Sequence, residues 1–152
     1  MRKLHFTAFI AAFMFLSAFC FAETQANSTN SETCKVSISI TNIKEADGTI
    51  IMSIHDSDKS FSKKIPLKTL KLSPEIPSVL CTLNLAPGEY AFCVYHDINT
   101  NGELDTNLVG IPKEPFGFSN YNGKSVPGNF KKHKLVISED CDVNIPIFLL
   151  AE

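Results

Sequence analysis

Apolar residues alternate with polar ones through most of this chain, and this period of two constrains the fold more than any other feature. Between residues 34 and 43, for example, Val36, Ile38 and Ile40 alternate with Lys35, Ser37 and Ser39. Such alternation is typical of strands that bury one face, because successive side chains of a strand point to opposite sides. Helical spacing of apolar residues is not convincing anywhere in the domain. The pattern therefore predicts an all-β domain.

Seven alternating segments predict seven short strands, and the turns between them contain Gly, Pro or Asp. The third segment shifts its apolar frame by one residue, which indicates a bulge. This series of strands favours a single antiparallel Greek-key β-sandwich of the prealbumin (transthyretin-like) or immunoglobulin-like type. The predicted strands are 34–43, 49–55, 63–72, 79–85, 90–96, 134–137 and 141–149.

The first 22 residues are expected to be a signal peptide, because Arg2 and Lys3 precede an apolar run that ends at Ala22. An uncleaved membrane anchor and a lipid attached to Cys20 are the alternatives. Residues 23–33 are polar and predict a disordered leader. The remaining segment, 34–150, is expected to be one β-sandwich domain with a long loop at 97–130. We therefore expect a secreted or periplasmic protein that does not insert into the membrane after cleavage.

The chain has a formal net charge of −2, and its only arginine, Arg2, lies in the predicted signal peptide. Without arginine, the mature chain lacks the planar group that recognises guanine edges and phosphates in two-point contacts. We therefore expect no binding to nucleic acid. The sequence leaves open whether the ligand is a small molecule, a glycan or a protein, and it leaves the oligomeric state open.

Four cysteines follow the predicted signal peptide, and an even number in an exported chain is typical of two disulfides. We expect Cys34 to pair with Cys141, since they open the first and last predicted strands. Cys81 is expected to pair with Cys93, since they flank one predicted hairpin. Free thiols or a zinc site are the alternative, although no two of the four have the close spacing of zinc ligands.

Oxygen-bearing side chains occupy alternate positions from residue 97 to residue 105, and Gly102 lies where a tight loop reverses. This spacing resembles the first nine residues of an EF-hand calcium loop. The twelfth position is Leu108, which has no carboxylate, so we expect a weak structural calcium site. The alternative is a turn in which Asn and Asp bond their own backbone. The expected ligands are side-chain oxygens of Asp97, Asn99, Asn101 and Asp105 and the backbone carbonyl of Glu103.

A segment of about 20 residues without strand alternation follows, at 110–130. It is rich in Gly, Pro and Asn and contains Phe116, Phe118 and Tyr121. Two hypotheses fit these aromatic residues. They either cover one open end of the sandwich, or they line a ligand-binding cleft beside the calcium loop.

Three runs in this sequence are similar to a known family. They are Pro87-Gly88-Glu89-Tyr90-Ala91, the ten residues 96–105, and the segment 110–120 with the sequence GIPKEPFGFSN. Together they resemble the exported bacterial proteins grouped as the DUF2141 family, with similarity over roughly residues 34–149. The resemblance implies a secreted or periplasmic β-sandwich and carries over no catalytic residue or substrate.

These observations favour an exported, non-catalytic binding or accessory module with a calcium-organised loop. One alternative is a metal-dependent hydrolase that uses His96 and Asp97 together with His55 and Asp56. Another is an envelope assembly protein that pairs with its partner through an edge strand. The sequence has no Gly-x-Ser-x-Gly motif for a serine nucleophile, and we do not expect an enzyme.

Overall fold

The structure, a computed structural model, describes residues 32–150. The predicted signal peptide (1–22) and nearly all of the predicted leader lie outside the described residues. Within the described part of the chain, no helix is long and apolar enough to cross a membrane. The elements are β1 (Cys34–Thr41), β2 (Thr49–His55), α1 (Asp58–Ser62), β3 (Lys68–Leu72), β4 (Ser78–Leu85), β5 (Gly88–Asp97), β6 (Phe116–Phe118), α2 (Phe130–His133), β7 (Leu135–Ile137) and β8 (Cys141–Pro146).

The strands form two sheets. The three-stranded sheet has the order β4-β1-β8, in which β1 is antiparallel to β4 and parallel to β8. The five-stranded sheet has the order β3-β2-β5-β6, and β7 pairs with the first residues of β5. All pairings in this second sheet are antiparallel. The expectation of a wholly antiparallel fold is therefore wrong for the β1–β8 pair.

One hydrophobic cluster receives side chains from both sheets. Ile38 and Ile40 of β1, Met52 and Ile54 of β2, and Phe92 of β5 are fully buried in it. The two residues from each of β1 and β2 lie two positions apart, as the alternation predicts. Burying an aliphatic or aromatic side chain of this size contributes roughly 1.5 to 3 kcal/mol, so the cluster stabilises both sheets together.

The short strand β6 connects the two sheets at one edge. Phe116 exchanges two backbone hydrogen bonds with Phe148, which follows β8, at N···O distances of 2.9 and 2.8 Å. Gly117 permits this approach, because a Cβ atom there would lie 2.3 Å from the carbonyl oxygen of Pro146. The sequence predicts no strand at this position, since three residues are too few to show alternation.

Sequence neighbours do not pair where the sequence predicts hairpins. β4 and β5 flank a predicted turn, but they belong to different sheets, and so do β7 and β8. The predicted bulged strand 63–72 is regular only from Lys68. The helix α1 precedes it, and its N-cap Ser57 accepts a hydrogen bond from the N–H of Ser60. This helix is too short to show helical spacing in the sequence.

The four cysteines within the described residues are free thiols, so the predicted disulfides are wrong. Cys81 faces Ile38 in the three-stranded sheet, whereas Cys93 belongs to β5 in the other sheet. Cys141 lies opposite Val36 on the parallel strand, two residues further along β1 than Cys34. Such an offset separates the two Cα atoms by about 8 Å, which is beyond the span of a disulfide.

Candidate functional site

The segment from Asp97 to Asp105, hereafter the ion loop, folds back on itself through its own side chains. The carboxylate of Asp97 accepts hydrogen bonds from the backbone N–H groups of Asn101 and Gly102, at 3.1 and 2.8 Å. The side-chain amides of Asn99 and Asn101 donate to the carboxylate of Asp105, at 2.7 and 3.1 Å. Four of the five expected calcium ligands therefore converge on one small region.

The fifth expected ligand is the backbone carbonyl of Glu103, which follows Gly102 in the same loop. Its backbone N–H donates to Asn101 Oδ1 at 2.8 Å, and its side chain is exposed. Gly102 has φ +83°, with open space where a Cβ would be, so it provides the reversal that the sequence predicts. Thr100 also adopts a left-handed conformation, with φ 60°, which is uncommon for a β-branched residue.

Glu114 closes the ion loop, and sequence reasoning did not identify it. One carboxylate oxygen accepts a hydrogen bond from the N–H of Ile98 at 3.0 Å, and the other accepts one from the N–H of Asp105 at 3.1 Å. The side chain therefore holds the two ends of the loop together. It lies beyond the twelve positions of the EF-hand pattern. A carboxylate in the loop that follows the pattern is the signal by which it could have been found.

The ion loop and the adjoining Glu114 contain carboxylates that form no ion pair with any described residue. Asp97 and Glu114 are buried, with exposed fractions of 2% and 5%. Within residues 32–150, the one ion pair joins Lys134 to Glu89, at the opposite end of β5 from this loop. No three His, Cys, Asp or Glu side chains of the described chain form a metal-binding group. The oxygen atoms of the loop that could coordinate a metal ion include those of two Asn amides in addition to its carboxylates.

A cleft with a volume of about 660 Å³ lies against the five-stranded sheet, beside the ion loop. Ser53, His55 and Cys93 lie at its floor on β2 and β5. Glu103, Leu104 and Thr106 contribute one wall, so the cleft and the ion loop share residues. The hydroxyl of Tyr95, which also lines the cleft, donates to the carbonyl of Gly102 at 2.9 Å.

Aromatic rings form the apolar part of this cleft. Phe116 and Phe118 both line it, together with Phe61 of α1. Tyr121, the third residue of the ligand-binding hypothesis, is buried and stacks on Phe116, with ring centroids 5.9 Å apart. It supports the lining residues and is not itself among them. Phe61 lies between the predicted strands 49–55 and 63–72, where neither alternation nor a motif indicates a site residue.

His55 adds one polar group to the cleft. Its Nδ1 lies 2.9 Å from Ser60 Oγ, and that hydroxyl donates its proton to the carbonyl of Ile65 at 2.7 Å. Nδ1 therefore carries the proton, and Nε2 is a free acceptor. Burial lowers the pKa of His55, so the ring is neutral near pH 7. No buried side-chain nitrogen or oxygen of the described residues lacks a partner, which means that Nε2 reaches solvent.

Residues 38–145 match a family described as uncharacterized proteins conserved in bacteria, DUF2141. The chain belongs to the DUF2141 family. The matched range includes all of the ion loop, Glu114 and β6. No curated protein and no solved structure matches the chain.

The two His-Asp pairs of this DUF2141 protein are not brought together. His55 pairs with Ala91 and His96 pairs with Ile50, so five residues separate the two histidines along β5. That spacing corresponds to roughly 17 Å and places them on opposite faces of the sheet. His96 instead bonds the backbone carbonyl of Asp47 at 2.7 Å. A single hydrolytic centre that uses both pairs is incompatible with this geometry.

Cys93 is not an activated nucleophile in this DUF2141 protein. Burial raises the pKa of its thiol to about 12, so the sulfur is protonated at neutral pH. Burial likewise raises the pKa of Cys81. Cys93 therefore contributes an apolar, uncharged surface to the floor of the cleft.

Proposed function

We propose that this protein is an exported, non-catalytic binding module in which a calcium ion organises the ion loop at one wall of the aromatic cleft. The hydrogen bond from Tyr95 to Gly102 carries the proposal, because it joins a cleft side chain to the ion loop. A calcium ion that orders the ion loop therefore also orders the wall of the cleft. The architecture that we propose for the module is a Greek-key β-sandwich of about seven main strands, with β6 as an additional short one.

The charge of the ion loop supports a cation. Two buried carboxylates, those of Asp97 and Glu114, accept backbone hydrogen bonds but form no ion pair within the described part of the chain. Buried charges are usually paired or coordinate a metal ion. Oxygen ligands of this kind suit calcium, which accepts six to eight of them in flexible geometry. Asp97, Asn99, Asn101 and Asp105 would hold the ion through their side chains.

The lining of the cleft supports binding of an apolar or aromatic group. Phe61, Phe116 and Phe118 provide apolar surface, and His55 Nε2 provides one hydrogen-bond acceptor. Ligand sites commonly combine an apolar concave surface with a few fixed polar groups. The neutral His55 and the protonated Cys93 give the floor no charge. The proposed ligand therefore carries no charge in the part that the cleft buries.

Thermal unfolding in calcium tests the ion. A loop with few carboxylates is expected to bind with a dissociation constant on the order of 1 mM, as extracellular modules do. Calcium at about 10 mM then stabilises the protein by about 1.4 kcal/mol through mass action. This corresponds to a rise of about 5 °C in melting temperature. Magnesium, which requires stricter octahedral geometry, should give a smaller rise.

Two matched variants make this test specific. Asp105→Asn removes one carboxylate of the ion loop without changing the shape of the side chain, and it should weaken the calcium response about 10-fold. Asp142→Asn makes the same change at an exposed position of β8 and should leave the response intact. Identical melting curves in calcium and in chelator would leave the ion loop as a turn without an ion.

A further inference from the structure

A protruding apolar hairpin begins at the wall of the cleft. We call residues 106–112 the finger. It is closed at its base by a bridge between Thr106 and Pro112. Within it, the N–H of Asn107 donates to the carbonyl of Ile111 at 2.8 Å, and Asn107 Oδ1 accepts from the N–H groups of Val109 and Ile111. Asn107 therefore holds the finger in a defined shape.

The finger exposes apolar side chains that no other described residue covers. Leu108 is exposed to 107% and Val109 to 78% of their reference areas, and Ile111 is exposed to 37%. Isolated exposed apolar residues are common, but an ordered group at the tip of a hairpin indicates a contact surface. The finger also contains no charged residue, so inserting it into an apolar site removes no charge from water.

We propose that the finger of one copy of this chain occupies the aromatic cleft of a second copy, and that the exchange is reciprocal about a twofold axis. This inference rests on the proposed function, because it takes the cleft as the binding site and names its partner. Thr106 belongs to both the cleft wall and the base of the finger. Each finger therefore starts at the rim of its own cleft, and this rim lies beside the opposite cleft when two clefts face each other.

The dimensions of the two features agree. The tip lies two to three residues beyond the base, which corresponds to a reach of roughly 10 Å. The cleft volume of about 660 Å³ exceeds the combined volume of one Leu and one Val side chain. Two inserted fingers and the surfaces they cover would bury an area near the lower limit of a specific interface, about 1,200 Å² in total. The dimer is therefore expected to be weak, with a dissociation constant at the micromolar end of the range for such interfaces.

A lipid bilayer also accepts apolar side chains, but the charges next to the finger disfavour binding to a membrane. Glu103 and Asp105 precede the finger, and Lys113 is the one cation directly beside it. Segments that bind anionic membranes usually carry clusters of Lys or Arg beside their apolar residues. A second copy of the chain instead offers a cleft with three phenylalanine rings and an uncharged floor, with Lys64 and Glu103 as its two charged lining residues.

Sedimentation velocity over about 1 to 500 µM protein tests the proposal. The wild-type protein should dimerise reversibly, and Leu108→Asp combined with Val109→Asp should weaken dimerisation at least 100-fold. Leu80→Asp is the matched control, because Leu80 is 74% exposed on β4 of the other sheet. That control should dimerise as the wild type does. Melting temperatures establish that each variant is folded.

A change on the cleft side makes the test independent of the finger. Ser53→Lys adds a charge to the floor of the cleft, and it should weaken dimerisation as strongly as the finger variant does. A monomeric wild type at the highest concentration would overturn the proposal. So would a dimer that survives the finger substitutions, or a monomer whose finger binds phosphatidylcholine–phosphatidylglycerol vesicles. The rise in melting temperature with calcium is measured on the same samples. Absence of a dimer and absence of a calcium site are therefore detected separately.

Discussion

His133 is the residue whose protonation state its neighbours determine most completely. It is fully buried, and its Nδ1 lies 2.9 Å from the carbonyl oxygen of Ser119, which only accepts hydrogen bonds. Its Nε2 accepts a hydrogen bond from the N–H of Gly128 at 3.0 Å. The ring is therefore neutral, with its proton on Nδ1. Burial is the main cause that lowers its pKa, and nearby Lys132 lowers it further.

This arrangement predicts loss of stability at mildly acidic pH. Because the pKa of His133 is lower in the folded state than its usual value near 6.5, the unfolded chain binds the proton first as pH falls. The stability contribution of His133 is thus complete above about pH 6.5 and is lost as pH falls through its lower folded pKa. Chemical denaturation between pH 8 and pH 5 measures this loss.

The variant His133→Phe identifies the contribution of this one residue. It is expected to be less stable at every pH, because it leaves the Gly128 N–H and the Ser119 carbonyl without their partner. Its unfolding free energy should nevertheless depend less on pH. His55, whose pKa is also lowered by burial, remains in both proteins, so the difference in slope belongs to His133. Parallel pH profiles would contradict this account.

Among single residues, those with local signals were the most predictable. Asp97, Asn99, Asn101 and Asp105 follow a spacing that requires only a short loop, and the structure brings their side chains together. Glu114 lies nine residues after Asp105, and its hydrogen bond with the N–H of Asp105 depends on how the intervening finger folds back. No local sequence pattern specifies where a loop folds back. The cysteine pairing depended on strand register, which alternation alone does not specify.

At the scale of elements, β6 makes the aromatic residues part of both the core and the cleft. Phe116 is 2% exposed, and it hydrogen-bonds to Phe148 through its backbone. Phe118 is partly exposed and stacks on His133, with ring centroids 4.7 Å apart. The two hypotheses for this loop, a cover for the fold and a ligand cleft, therefore describe different faces of one short strand.

Truncating the two phenylalanines should separate these roles. Phe116→Ala is expected to cost about 3 to 5 kcal/mol, the usual range for a buried Phe. Phe118→Ala should cost less because its ring is partly exposed, and it should reduce binding of an apolar dye to the cleft. Urea denaturation and dye titration measure the two effects. If both variants lose stability equally and dye binding does not change, β6 serves only as a cover.

Element type followed from the sequence better than element partners did. The alternation predicted β1, β2, β4, β5 and β8 because each buries one face against the common core. It did not predict that β4 and β5 enter different sheets, because both strands have the same period whichever sheet receives them. α1, α2 and β6 are shorter than the windows in which a period can be recognised.

At the scale of the whole molecule, the five-stranded sheet supports the ion loop, the cleft and the finger on neighbouring segments. β5 ends at Asp97, the first residue of the ion loop, and it also contributes Cys93 and Tyr95 to the cleft. Gly48 lets the turn before β2 pack against this junction, since a Cβ there would lie 2.2 Å from the carbonyl oxygen of Asp97. A structural change in the ion loop is therefore transmitted to the cleft through the packed residues at the end of β5.

The central claim is that calcium in the ion loop organises the cleft, and titration of a neutral apolar dye, Nile red, tests it most directly. At about 1 µM protein, where a weak dimer dissociates, calcium should tighten dye binding with the same midpoint as the rise in melting temperature. In Tyr95→Phe, which lacks the hydroxyl that bonds Gly102, calcium should still stabilise the fold but should no longer tighten dye binding. Dye affinity that is independent of calcium in the wild type, at concentrations that raise its melting temperature, would contradict the account.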